Sequence, residues 1–149
     1  MEMQLQIERA VLSSILFDPE QLDFIAESLV AEDFSYPPHQ NIFSAMLELR
    51  HTERPIDEEI ILGLSTKARP IAQEEMLNIL STSPISDLKS YVQEILESST
   101  KRKLHSFAMK ITQSTAESET SSKEIMDYLQ SELYKIGNVQ QMREFRDSK

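Results

Sequence analysis

The sequence predicts an all-α protein, a compact head of short helices followed by an antiparallel helical hairpin. Apolar residues recur at intervals of three and four almost throughout, the period of helices that bury one face. Only two glycines occur in 149 residues, too few for the many turns of a sandwich or barrel. Leu, Ile, Met, Glu, Gln and Lys are abundant, a composition that favours helix over strand. The length suffices for a domain that buries its own core without disulfides or metals.

Ile7, Val11 and Ile15, flanked by Leu12 and Leu16, give a first helix ending near Phe17. Asp18-Pro19-Glu20-Gln21 reads as a second start, with Asp18 as N-cap and proline at the first helical position, where its missing N–H costs nothing. Leu22, Ile25, Ala26, Leu29 and Val30 then form one stripe. Proline disfavours the helical region for the residue before it, so Tyr36 and Pro37 are expected to be extended and Pro38 to open a third helix. Ile42, Phe43, Met46, Leu47 and Leu49 supply its buried side, and Arg50-His51-Thr52 ends it. Asp57 caps a fourth helix with Ile60, Ile61 and Leu64 inward and Gly63 in its middle, and Met76, Leu77 and Leu80 mark a short fifth.

From Ser86 the character changes. Leu88, Tyr91, Val92, Ile95 and Leu96 begin a stripe that resumes at Leu104, Phe107, Ala108 and Ile111, with no proline or glycine between residues 85 and 114. That permits a single helix of roughly 28 residues, about 42 Å long. Ser114 to Ser122 is a turn, and Ser121-Ser122-Lys123-Glu124 is a capping box for a last helix with Ile125, Leu129, Leu133 and Ile136 inward, which Gly137 is expected to end. The expected division is a head over 1–84, a hairpin over 85–137 and the start of a linker over 138–149. A two-helix hairpin cannot bury both apolar stripes against itself. A second copy of the chain is a natural cover, because two such hairpins paired about a two-fold axis make a four-helix bundle; the other cover open to it is the chain's own head.

The net charge is −10, with 18 acids and 6 bases in residues 1–100 but 7 acids and 9 bases in 101–149. Such a surface repels phosphate backbones, so little direct nucleic-acid binding is expected and a protein partner fits better. Absence of cysteine removes disulfides, thiolate metal sites and cysteine nucleophiles together. No segment approaches the ~20 apolar residues that span a bilayer, and the N-terminus lacks the pattern of a secretory signal. The chain is expected to be cytoplasmic and to contact no membrane.

No arrangement of residues points to catalysis. His39, His51 and His105 have no second ligand at a metal-binding spacing, and His39 is expected to bond locally or lie at the surface. Glu58-Glu59 and Glu74-Glu75 are sequence neighbours that point about 100° apart on a helix, so neither pair can share one substrate atom. Gly63 and Gly137 are too far apart for a phosphate-cradling loop, and no serine sits in G-x-S-x-G. Catalytic, cofactor and metal residues are therefore all expected to be none. Lys101-Arg102-Lys103 is the one basic cluster, either a solvated helix face or a patch for an acidic partner.

Ile7-Glu8-Arg9-Ala10-Val11-Leu12-Ser13-Ser14-Ile15-Leu16, then Ala31-Glu32-Asp33-Phe34 with Pro38-His39-Gln40-Asn41-Ile42-Phe43, then Pro55-Ile56-Asp57, resemble in order and spacing the N-terminal domain of the bacterial replicative helicase DnaB. Ser83-Pro84 and the following long helix with Tyr91 fit as well. Lys67-Ala68-Arg69-Pro70-Ile71 departs from the family's longer, often glycine-bearing connection, so contacts at that corner are not carried over. The resemblance implies a non-catalytic collar domain that pairs through its hairpins, assembles as a trimer of dimers above a hexameric motor ring and docks the C-terminal domain of primase, with a helicase loader as a further partner. It also implies a RecA-like motor beyond this fragment, to which ATP and magnesium would belong. Leu104, Phe107, Ile111, Ile125, Leu129 and Leu133 are the residues expected to make hairpin packing. Met76, Lys101, Arg102, Lys103 and His105 are those expected on exposed faces for a partner. Two alternatives remain, a free-standing all-α adaptor that binds another protein's helix in a groove, and a DNA-binding module resting on the basic helix alone.

Overall fold

The computed structural model describes the backbone of residues 2–147 and side chains as far as Asn138. Seven α-helices follow one another, α1 Glu2–Phe17, α2 Gln21–Ser28, α3 Pro37–His51, α4 Glu58–Gly63, α5 Gln73–Leu80, α6 Leu88–Ala116 and α7 Ser122–Asp147, with one 3-10 turn at Ala31–Asp33 before α3. The described residues contain no strand. The chain divides into two compact units, Met1–Ser98 and Ser99–Lys149. The division falls inside α6 rather than at Pro84, because Leu88, Val92, Ile95 and Leu96 on its first turns join the core of the first unit.

That core gathers Val11, Leu12 and Ile15 of α1, Leu22 and Ile25 of α2, the inward face of α3, Ile61 of α4 and Met76 and Ile79 of α5. Phe43 reaches its centre and meets Phe34 with ring centroids 4.9 Å apart. The stripe of α2 is cut short. The helix stops at Ser28, Leu29 turns extended, and Ala26 and Val30 face solvent. Its entry is a tight 3-10 turn in which the carbonyls of Asp18, Pro19 and Glu20 accept from the N–H groups of Gln21, Leu22 and Asp23. The Asp18 carboxylate takes the Gln21 side-chain amide at 3.2 Å.

Tyr36 is extended, as the double proline requires, but Pro37 is already helical and Pro38 follows it in the first turn. The first-turn N–H groups of a helix have no partner within it, so two prolines cost no hydrogen bond there. The Tyr36 carbonyl instead accepts from His39 and Gln40 at 2.9 and 3.1 Å. At the other end Glu53 sits in the left-handed region at φ 56°. The Arg54 N–H reaches the Leu49 carbonyl at 2.8 Å and the Glu53 N–H reaches Arg50 at 3.2 Å, the paired bonds of a Schellman end. Asp57 caps α4 through Glu59 and Ile60, and the helix closes at Gly63 rather than continuing past it.

Ser121 caps α7, its hydroxyl accepting the Glu124 N–H at 3.2 Å. Gly137 does not end this helix, which continues as far as Asp147. Gly137 has no positive φ, and the Gln140-Gln141-Met142-Arg143 run favours helix strongly enough to outweigh one glycine. The stretch expected to start a linker is thus helical to Asp147, and Ser148 and Lys149 lie outside the described residues. A Cβ added at Gly137 would meet nothing within 4 Å. Gly137→Ala is therefore expected to stabilise α7 by about 1 kcal/mol, read as a higher midpoint of helix melting by circular dichroism.

Candidate functional site

The second unit is made from the later turns of α6 and from α7, joined through residues 117–121. Phe107 of α6 meets Tyr128 of α7 with ring centroids 5.6 Å apart and planes at 45°. Ile111, Ile125 and Leu129 are half-buried beside them. Among the described side chains beyond residue 98, no apolar one is buried. Leu104, Met109, Met126, Leu133 and Tyr134 are between 40% and 74% exposed, so both helices carry apolar side chains in water. Two shallow clefts of about 470 and 240 Å³ share Lys110 and Tyr128, one extending to Thr120 and Glu124, the other to Lys103, Glu132 and Ile136.

All six residues expected to make hairpin packing thus lie in this unit, half-buried or exposed. The residues expected to meet a partner divide. Lys101, Lys103 and His105 are exposed and Arg102 half-buried, all in the second unit. Met76 is the correction. It is only 1% exposed and faces the core of the first unit, because the inward positions of α5 are 75, 76 and 79 while Leu77 and Leu80 face solvent. Sequence reading missed Met109, outside the α6 stripe drawn through Leu104, Phe107, Ala108 and Ile111, and Met126, Tyr128 and Tyr134, outside the α7 stripe drawn through Ile125, Leu129 and Leu133.

The first unit holds a second arrangement, centred on buried side chains. His39 is fully buried, with Nδ1 2.8 Å from Oε1 of Glu8 and Nε2 2.6 Å from Oε2 of Glu75. Arg9 grips Glu75 with both nitrogens, Nε at 2.7 Å and Nη2 at 3.0 Å, and Asn78 adds a third donor at 3.0 Å. Glu8 accepts from Gln4 at 2.8 Å and from the Ser35 N–H and hydroxyl at 2.8 and 2.6 Å. Burial pushes the carboxyl of Glu8 up, but His39, Ser35 and Gln4 outweigh it and hold the group below its ordinary range. Burial likewise raises Glu75, and Arg9, Asn78 and His39 together bring it down to about 2. His39 is therefore neither local nor superficial as expected, but ties α1, α3 and α5. The signal was present, since Glu8 and His39 occupy core positions of their helices, four before Leu12 and four before Phe43. His39 and Glu8 are fully buried, so neither ring nitrogen is open to solvent. The described residues hold no group of His, Asp and Glu able to bind a metal, and no helix among them is long and apolar enough to cross a membrane.

Helices packed on one core in the first unit, with apolar side chains left exposed on the two helices of the second, define a class, the small all-α domain. The description "DnaB-like helicase N terminal domain" matches residues 1–97, and the chain belongs to that family. It is 36% identical over 147 residues to the replicative DNA helicase DnaB of Helicobacter pylori strain J99, covering 98% of this chain but 30% of that protein. The DnaB of Geobacillus stearothermophilus is 33% identical over 88 residues, 59% of this chain and 18% of that one. The N-terminal domain of DnaB helicase from Helicobacter pylori, described with its interactions with primase, superposes with a TM-score of 0.75 at 34% identity, over 78% of this chain and 94% of that domain. The Mycobacterium tuberculosis domain gives 0.74 at 25% identity, over 87% and 96%. The chain thus spans about a third of the length of the full-length relatives it matches over nearly all its residues.

Proposed function

We propose that this chain is the collar domain of a cytoplasmic, hexameric replicative helicase, which builds the ring by pairing hairpins and docks the C-terminal domain of primase at the fork. The uncovered apolar surface beyond residue 98 carries this reading. Leu104, Phe107, Ile111, Ile125, Leu129 and Leu133 pack within and between hairpins, three such dimers form the collar, and a loader is a further occupant of the assembled ring. The domain itself does no chemistry. ATP and magnesium belong to a RecA-like motor outside these residues. Support comes from the family, from the length relation to full-length DnaB proteins, and from the Helicobacter pylori domain described with primase.

The basic run Lys101 to Lys103, in which Arg102 is half-buried and the two lysines exposed, is with His105 the surface assigned to primase. Met76 has no place in it because it is buried. Titrating the chain with a primase C-terminal domain tests the assignment. Lys101→Glu with Arg102→Glu is expected to weaken binding about tenfold, the scale of one or two charge-assisted contacts, and unchanged affinity removes this patch from the interface. Sedimentation of the wild type over a wide concentration range tests the assembly role. A monomer at every concentration, with no primase binding, contradicts the collar reading as a whole.

A further inference from the structure

Glu8 and Glu75 determine how many protons His39 carries. Three donors fall on Oε2 of Glu8, from Gln4 and twice from Ser35. Both oxygens of Glu75 are held by Arg9, and Oε1 also by Asn78. Both carboxyls are ionised at neutral pH, and an ionised carboxylate can only accept. Each ring nitrogen of His39 faces one of them within hydrogen-bond distance, so each must carry a hydrogen. The ring is an imidazolium, and Glu8, Glu75, Arg9 and His39 sum to zero charge. No buried side-chain polar atom among the described residues lacks a partner.

We propose that this cluster is a proton-sensitive fastener, which holds α5 to α1 and α3 only while His39 carries both ring protons. The groups facing the ring are Glu8 from α1, Glu75 from α5 and, edge-on at 5.0 Å, Tyr36 at the start of α3. Arg9 stands behind Glu75. As pH rises the carboxylates and the guanidinium keep their charges, so only the imidazole's can be lost. Loss of one proton turns a nitrogen lone pair toward a carboxylate oxygen at 2.6 or 2.8 Å and leaves one uncompensated negative charge in a dry site, where it is costly. The shortest of the three helices, α5, eight residues long and presenting Leu77 and Leu80 to water, then loosens, so release alters an apolar surface of the head.

Nitrogen-15 spectra of the histidine rings in the whole chain, with amide exchange of α5, test the fastener. At neutral pH both nitrogens of His39 are expected to show attached hydrogens. As pH is raised from neutrality, protection of the Met76 and Ile79 amides is expected to fall about tenfold beyond the base catalysis of exchange itself. His39→Gln is expected to remove that extra loss. A bare ring nitrogen at neutral pH overturns the proposal, and so does an identical pH course in wild type and variant. If His39→Gln does not fold, the wild-type ring spectra decide alone.

Discussion

Glu75→Ala is expected to destabilise the first unit by about 3–5 kcal/mol, the cost of breaking a buried ion pair and leaving its partner charged. The carboxylate holds His39 and Arg9 at once, so its removal strands a fully buried imidazolium with one counter-ion and leaves a largely buried guanidinium with none. Lost methylene packing is the smaller part, because the side chain is short and its aliphatic stem contributes about 1–2 kcal/mol at most. Arg9→Ala provides the contrast. It leaves Glu75 with Asn78 and His39 as donors, and a loss of about 1–2 kcal/mol is expected. Urea unfolding of both variants separates the cases. Equal losses in the two, or a loss under about 1 kcal/mol for Glu75→Ala, show that the cluster is not acting as one charge network.

The same carboxylate sets an acid limb. Its folded-state value of about 2 lies below the ordinary 4.5, so the unfolded chain binds the proton first. The stability this group contributes is therefore complete above about pH 4.5 and is lost as pH falls toward about 2, on the order of 3 kcal/mol in all. Glu8, lowered as well, adds in the same direction. Stability measured across that window should decline more gently in Glu75→Gln, which has already forfeited the contribution.

Much of this architecture was legible because local chemistry and tertiary demand agree. Pro37-Pro38, Asp57 and Ser121 each mark a helix start by a mechanism confined to one turn, and all three mark one in the structure. The failures occur where a local rule was outvoted. Gly137 carries the residue type of a helix end, yet the stop needs a left-handed φ, which it does not adopt. The first turns of α6 resemble the start of a hairpin, yet Leu88, Val92, Ile95 and Leu96 serve the head. Met76 was misplaced because an eight-residue helix has too few turns to show which side is wet. The charged cluster was hardest to see. Glu8, His39 and Glu75 lie 31 and 36 positions apart, and no spacing rule links them. Each shows only as a polar residue at an apolar position, a pattern that becomes meaningful once three helices are brought together.

Phe107→Asp combined with Leu129→Asp is expected to abolish pairing between chains at concentrations where the wild type associates. A large apolar side chain moved from water into an interface contributes roughly 1.5–3 kcal/mol, and a carboxylate placed there must be desolvated without a partner. A two-fold interface contains each substitution twice, so even a modest penalty per site weakens the dimer by well over 100-fold. Phe107 also stacks on Tyr128 within the chain, so loss of pairing by this variant could reflect a disrupted hairpin. Met126→Lys with Leu133→Lys removes that ambiguity, because both side chains already stand in solvent, 60% and 45% exposed, and their replacement leaves the ring contact intact. Circular dichroism is expected to show full helix content for this second variant, while sedimentation shows a monomer. Leu77→Asp, on the exposed side of α5 in the other unit, is expected to leave the mass unchanged. An undiminished dimer in both hairpin variants contradicts pairing through this surface, and a monomer in the Leu77 variant moves the interface to the head.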